Sequence, residues 1–163
     1  MKKQATALVR ECAMRGVKIA TAESCTGGLI AKTLTDVAGS SAVFVGGAVT
    51  YTNEVKIALL GVDPEGIARE SEVSHTCAKQ MAEGARMRLG ATVAVSTTGY
   101  AGPTGGTETD PVGTVYIGLA SSNGTYSERF SAPAGSSRAG VRRAAALRAL
   151  ELLLDVVRKN EAL

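Results

Sequence analysis

The 163-residue sequence has few of the side chains on which many catalytic and metal sites depend. It contains one histidine, His75, no tryptophan, and three widely spaced cysteines at positions 12, 25 and 77. A lone histidine without a neighbouring ligand cluster argues against a zinc site, and an odd number of scattered cysteines predicts no disulfide framework. We therefore expect no metal, no cofactor and a reduced, cytoplasmic setting.

Several familiar sequence signals are also missing. There is no Walker A motif and no G-x-G-x-x-G, so the usual ATP and NAD fingerprints are absent. No apolar run approaches the roughly 18 residues that span a membrane, and the amphipathic N-terminus does not resemble a signal peptide. A net charge of +3 is mild for a nucleic-acid-binding protein. We expect neither a membrane partner nor direct contact with nucleic acid.

Helix and strand signals alternate along the chain, which is typical of an α/β protein, and the length predicts one domain over residues 1–163. Apolar spacing predicts helices over 5–15, 29–39, 53–60, 64–69, 74–89 and 140–159. Short apolar runs predict strands over 17–22, 43–51 and 92–98. The Asn123-Gly124 pair predicts a hairpin between strands over 114–121 and 125–132. The pattern indicates a mixed sheet with helices on both faces.

Two loops and one glycine pair allow more than one interpretation. The backbone N–H groups after Ser24 lie where a strand turns into a helix, so they either attract an anion or are simply capped. The loop over residues 99–113 either closes over a ligand or only connects two strands. Gly46 and Gly47, inside a predicted strand, indicate a bulge or a close backbone approach.

A serine activated by a neutral lysine is the hydrolytic chemistry that these residues permit without histidine. Ser41, Tyr51 and Lys56 follow one another along a strand and the start of the next helix. A strand of about eight residues spans roughly 25 Å, so Ser41 and Tyr51 meet only if the strand bends sharply or if two chains associate. His75 is interpreted as a helix-start residue, and Cys25 is a minor alternative nucleophile without a histidine to activate it.

Five motifs occur in order along the chain: TAESCTGG at 21–28, AGSS at 38–41, TYTNEVK at 50–56, AGPTGG at 101–106 and PVGTV at 111–115. Together they resemble the CinA C-terminal domain family, which includes the PncC-type nicotinamide-nucleotide amidohydrolases. The resemblance implies a three-layer α/β/α sandwich with a mixed sheet, usually homodimeric. It also implies hydrolysis of the carboxamide of nicotinamide mononucleotide (NMN), which gives nicotinate mononucleotide and ammonia.

The same resemblance assigns roles to particular residues. It implies that Ser41 is the nucleophile, that Lys56 is its base and that Tyr51 is a supporting hydroxyl. An arginine at the start of the last helix is expected to hold the substrate phosphate, with Arg142 favoured over Arg138. The remaining substrate contacts that the resemblance implies are Ser24, Thr26, Gly27 and Gly102.

Two rival hypotheses remain open at the level of sequence. One is a competence- or damage-inducible protein that binds a partner without catalysis, and the other is hydrolysis of a different amide or nucleotide. The chain also departs from the family pattern at Tyr100, where a smaller residue is common, so we expect a bulky side chain near the pocket. Larger family members carry a further N-terminal domain, whose pyrophosphatase activity is not expected of this sequence.

Overall fold

A five-stranded mixed β-sheet forms the middle layer of the protein in the computed structural model, which describes residues 1–159. Its strands are β1 (Ile19–Glu23), β2 (Phe44–Val49), β3 (Val93–Gly99), β4 (Thr114–Ser121) and β5 (Gly124–Ser131). The helices are α1 (Lys2–Arg15), α2 (Leu29–Thr35), α3 (Asn53–Leu60), α4 (Pro64–Glu70), α5 (His75–Leu89) and α6 (Arg138–Arg158). A short 3₁₀ turn, Ser40–Ala42, precedes β2.

The strand order across the sheet is β2-β1-β3-β4-β5. β1 runs parallel to both β2 and β3, whereas β4 runs antiparallel to β3 and to β5. The chain therefore moves from β1 outward to β2 and then crosses back to place β3 on the other side of β1. Such a reversal opens a crevice at the carboxyl ends of the strands, which is where α/β sheets of this kind bind ligands.

Two hydrophobic cores cover the two faces of the sheet. One lies under α1, α2 and α6, and the other lies under α5 with the shorter α3 and α4 beside it. β1 is buried at all five positions because it lies between two other strands and is covered on both faces. These layers confirm the predicted three-layer α/β/α sandwich. Among residues 1–159, no helix has the length and apolar character needed to cross a bilayer.

The boundaries of the helices follow their capping residues. The Ser74 hydroxyl accepts a hydrogen bond from the N–H of Cys77 at 3.2 Å, and Gly90 ends α5 in the left-handed region. α2 is shorter than expected and ends at Thr35, because the chain then tightens into i→i+3 hydrogen bonds such as Val37 N–H to the Leu34 carbonyl.

The glycine pair in β2 produces both a bulge and a close approach. The register of β2 on β1 shifts between Ile19 and Ala20, and a Cβ at Gly47 would overlap the hydroxyl oxygen of Thr21. The bulge does not fold the strand back on itself. β2 still separates the 3₁₀ turn at its beginning from α3 beyond its end, and this separation decides which residues can meet.

We expect Gly47→Ala to lower the free energy of unfolding by about 1–3 kcal/mol, because the added methyl group would overlap Thr21 on β1. Chemical denaturation measures the change. Gly140→Ala is the matched control, since a Cβ there meets its nearest neighbour at an ordinary 3.4 Å, and we expect no loss of stability from it. Equal stability of the two variants would contradict the close packing of β2 on β1.

Candidate functional site

A cavity of about 400 Å³ opens at the carboxyl ends of β1 and β3, in the crevice that the strand order creates. Five chain segments line it, each just after a strand or at the end of a helix or loop. The lining residues are Ser24 and Cys25 after β1, residues 51–54 and Lys56 after β2, Glu72 and Val73 before α5, residues 98–100 at the end of β3, and Arg138 at the start of α6.

Lys56 is the largest fully buried side chain of the described chain, with 1% of its surface exposed. Its Nζ lies 3.3 Å from Ser24 Oγ and 3.4 Å from the backbone carbonyl oxygen of Tyr51. Burial lowers the pKa of Lys56, although the nearby carboxylate of Glu72 acts in the opposite direction. A lysine that loses its proton easily, in contact with a serine hydroxyl, can act as a general base.

Ser24 is held in place through the backbone on both sides of β1. Its N–H donates to the carbonyl of Thr97 on β3 at 2.9 Å, and the N–H of Thr50 donates to the carbonyl of Glu23 at 2.9 Å. The residue that follows β1 is thereby fixed between the ends of β2 and β3. The hydroxyl of Ser24 faces the cavity, and only 8% of the residue is exposed.

The carboxylate of Glu23 occupies the N-terminus of α2. It accepts hydrogen bonds from the N–H of Ile30 at 3.1 Å, from the N–H of Ala31 at 2.8 Å and from the hydroxyl of Thr26 at 2.7 Å. A negative charge at this end of a helix is stabilising. Capping is therefore correct for the N–H groups of Ile30 and Ala31, which a substrate anion would find already bonded.

Thr26 and Gly27 do not line the cavity, in contrast to the expectation that they contact substrate. Thr26 is fully buried, and its hydroxyl lies 2.7 Å from that of Thr97. Its carbonyl accepts a hydrogen bond from Arg142 at 2.8 Å, and the same guanidinium packs against Gly27. Thr26 and Gly27 therefore support the turn from outside the cavity. This role explains the small and polar side chains at these two positions of the motif.

Arg138, rather than Arg142, reaches the cavity. Its guanidinium donates to the carbonyl of Gly102 at 2.7 Å and to the hydroxyl of Tyr51 at 2.8 Å. Arg142, which the sequence favoured as the phosphate contact, does not line this cavity. The hydroxyl of Tyr51 and the backbone of Gly102 instead hold an arginine at the rim, and Tyr100 lines the cavity as expected from its departure from the family pattern.

Ser41 does not join Tyr51 and Lys56 within one chain, so the alternative of a sharply bent strand is wrong. It is exposed in the 3₁₀ turn before β2, whereas Lys56 lies beyond the opposite end of that strand. Six strand residues separate the two ends by roughly 20 Å. Ser24, predicted only as a substrate contact, occupies the position beside the lysine. The carboxyl ends of adjacent parallel strands meet at one edge, so Ser24 can be identified once the strand order is known.

The remaining candidate nucleophiles and ligands are unsuited to the site. His75 lies outside the cavity, where its Nδ1 is 2.8 Å from the hydroxyl of Ser127 and its ring packs edge-on against Tyr116. Cys25 lines the cavity, but burial raises its pKa to about 12, so it is a thiol at neutral pH. In the described part of the chain, no three His, Cys, Asp or Glu side chains cluster as metal ligands.

A second cavity, of about 500 Å³, lies between the β4–β5 hairpin and the end of α6. Its arginine, Arg148, forms a bidentate pair with Glu128, both bonds being 2.8 Å long. The charge of this arginine is thus already neutralised, and the buried lysine lies elsewhere, beside Ser24. The smaller cavity is therefore the better candidate for catalysis.

Comparison with known proteins gives one consistent family. The family model described as the CinA C-terminal domain matches residues 1–157. A CinA-like protein of Myxococcus xanthus is 52% identical over 139 residues, which cover 85% of this chain and 32% of that protein. The chain spans about a third of the length of the first curated relatives that it matches.

Solved structures agree with the family match. The competence/damage inducible protein CihA of Agrobacterium tumefaciens is 41% identical, with a TM-score of 0.91, over 95% of this chain and 94% of that one. A competence-damaged protein (CinA) superfamily protein of Klebsiella pneumoniae is 32% identical, also with a TM-score of 0.91, over 97% and 98% of the two chains.

We expect Lys56→Met to raise the free energy of unfolding by about 1 kcal/mol, because it replaces a buried amine with an apolar side chain of similar length. The pKa of Lys56 is lower in the folded protein than in the unfolded chain, so the unfolded chain binds more protons. The free energy of unfolding of the wild type therefore rises with pH relative to that of the variant. The gain from the substitution should therefore shrink as pH rises toward about 10.4.

Denaturation at several pH values measures this difference between wild type and variant. Lys79→Met is the matched control, because Lys79 is exposed on α5 and its removal should change neither the stability nor its pH dependence. A Lys56→Met protein that is less stable than wild type at neutral pH would show that the lysine contributes more through its hydrogen bonds than its burial costs.

Proposed function

This chain belongs to the CinA C-terminal domain family, and from its cavity we propose that it is an amidohydrolase that deamidates NMN. The reaction releases nicotinate mononucleotide and ammonia from NMN and water. The observation that carries the proposal is the contact of 3.3 Å between Lys56 Nζ and Ser24 Oγ inside a cavity. A buried lysine with a lowered pKa beside a serine hydroxyl is costly in a fold and is typical of functional sites.

Acylation uses Ser24 and Lys56. The neutral amine of Lys56 takes the proton of the Ser24 hydroxyl as Oγ attacks the carboxamide carbon of the substrate. Negative charge then develops on the amide oxygen, and backbone N–H groups of the turn that begins at Cys25 are suited to stabilise it. Lys56 returns its proton to the leaving nitrogen, so ammonia departs and an ester between Ser24 and the nicotinoyl group remains.

Deacylation repeats these steps with water in place of the serine. Lys56 takes a proton from water, the resulting hydroxide attacks the ester carbon, and Ser24 leaves after it recovers a proton from the lysine. The balance is one water consumed and one ammonia released. Lys56 must be neutral at the start of both half-reactions, which is why its low-dielectric surroundings favour the chemistry.

The rim of the cavity supports an anionic substrate. Arg138 is fixed at the rim by the hydroxyl of Tyr51 and the carbonyl of Gly102. A guanidinium has five N–H donors, so these two contacts leave donors available for a phosphate. The volume of about 400 Å³ lies in the usual range for small-molecule pockets. We assign the phosphate of NMN to Arg138.

The names of the solved relatives, competence/damage inducible proteins, raise a second candidate, a partner-binding role without catalysis. Such a role does not require a buried amine next to a serine in a cavity. A release assay for ammonia separates the two candidates. Wild-type protein that releases no ammonia from NMN would remove the enzymatic proposal and leave partner binding as the better interpretation of the family names.

We expect Ser24→Ala to reduce the rate of ammonia release from NMN by at least about 10³-fold, because the acyl-enzyme cannot form without the hydroxyl. Ser41→Ala is the matched control, and it should keep wild-type activity because Ser41 is exposed before β2. Both variants should unfold at the wild-type temperature. The opposite result, an inactive Ser41→Ala with an active Ser24→Ala, would return the nucleophile to Ser41.

We expect Arg138→Ala to raise KM for NMN by about 10- to 100-fold, since it removes charge-assisted hydrogen bonds to the phosphate. KM for nicotinamide riboside, which lacks the phosphate, should change little. Arg143→Ala is the control, because Arg143 is an exposed arginine on the same helix. An equal change of KM for both substrates would mean that Arg138 shapes the rim without contacting the phosphate.

A further inference from the structure

Ser71 is a strained residue between α4 and α5. Its φ of 77° and ψ of 159° fall in a region that is essentially restricted to glycine. Within residues 1–159, Ser71 is the only non-glycine residue with a positive φ of this kind. Strain of this type persists only where the surrounding structure enforces it, and it tends to occur at functional sites. The strain at Ser71 therefore suggests a function for the residue that this turn positions.

That residue is Glu72, which lines the cavity beside Ser24 and Lys56. The hydroxyl of Ser71 donates to the Glu72 carboxylate at 3.2 Å and accepts from the N–H of Val73 at 3.2 Å. The hydroxyl of Thr98, at the end of β3, donates to the Glu72 carbonyl at 2.7 Å. The strained turn and the sheet thus fix both the backbone and the carboxylate of Glu72.

The carboxylate of Glu72 is half-buried and forms no close ion pair in the described chain, although Lys56 is near enough to be affected by its charge. None of the ion pairs within 4.0 Å among residues 1–159 includes Glu72. A partly desolvated charge without a partner is unfavourable, and a positive charge that enters the cavity would relieve this cost. The cavity offers such a charge a place, since Glu72 lines it directly.

We propose that Glu72 is a specificity-determining residue that recognises a positively charged, N-substituted pyridinium ring. The proposal rests on the proposed deamidation of NMN, whose ring carries a positive charge and whose phosphate carries negative charge. Glu72 would face the ring cation. Arg138, at the start of α6, would bind the phosphate from another wall of the cavity. The cavity then selects dipolar substrates, namely oxidised pyridinium nucleotides, over their uncharged dihydropyridine forms.

Glu54 provides a comparison within the same cavity. It also lines the space, but it is fully exposed at the start of α3, where water and salt screen its charge. Glu72 is less accessible to water, so its interaction with a ring cation is screened less. Specificity for the ring charge should therefore depend on Glu72 and only weakly on Glu54.

The test compares NMN with reduced NMN, which has the same phosphate and carboxamide but an uncharged ring. We expect Glu72→Gln to lower the ratio of kcat/KM for NMN to that for reduced NMN by about 10-fold or more, whereas Glu54→Gln should leave this ratio close to wild type. The ratio is the informative quantity, because Glu72 also raises the pKa of Lys56 and its loss would affect both substrates through the base.

Calorimetric binding to the Ser24→Ala protein provides a measurement that does not depend on turnover. NMN should bind more tightly than reduced NMN, and the preference should disappear when Glu72→Gln is added. An unchanged preference in the double variant, no preference at all, or an equal loss in a Ser24→Ala, Glu54→Gln protein would overturn the proposal. Thermal unfolding confirms that each variant is folded.

The two proposals fail in different ways. Wild-type protein that binds NMN with the expected preference but releases no ammonia would contradict the proposed deamidation and keep the role of Glu72. Ammonia release from NMN with a ratio that Glu72→Gln does not alter would contradict the role of Glu72 and keep the deamidation. If neither nucleotide binds, both proposals are wrong.

Discussion

The candidate site depends on one constraint, the burial of the Lys56 amine beside the Ser24 hydroxyl. Lys56 lies on the first turn of α3 and Ser24 on the turn after β1, so they meet only because β1 and β2 are adjacent and parallel. Gly47 permits the close approach of these strands, and Glu23 fixes the turn that carries the serine. The packing of the sheet therefore also determines the geometry of the site in this part of the molecule.

The groups around the lysine act on its pKa in opposite directions. Burial favours the unprotonated amine, while Glu72 and Glu54 pull in the opposite direction from the cavity walls. The nearby thiols of Cys25 and Cys77 add no charge at neutral pH, because burial raises their pKa values to about 12 and about 11. Burial thus lowers the pKa of the lysine in a cavity whose wall also carries the carboxylate of Glu72.

The sequence allowed most of the fold to be predicted, because the helices and the hairpin depend on local patterns. It also allowed Lys56, Tyr51 and Arg138 to be selected as candidates. The choice between Ser24 and Ser41 depended on strand order, which no local pattern encodes. The role of Glu23 was not predicted for a similar reason. Its hydrogen bonds from the N–H groups of Ile30 and Ala31 form only because the folded turn brings these groups to the carboxylate.

The long separation between β1 and β3 along the chain has a consequence for the order of folding. The hydroxyls of Thr26 and Thr97 meet across 71 residues, and the N–H of Ser24 finds its partner on the same strand. Contacts between distant parts of a chain form late and slowly. During synthesis, the serine turn would therefore remain without its final shape until β3 has left the ribosome and joined the sheet. A growing chain that already contains Ser24 and Lys56 would still lack a formed site, so these reactive groups would assemble only when the fold that encloses them is nearly complete.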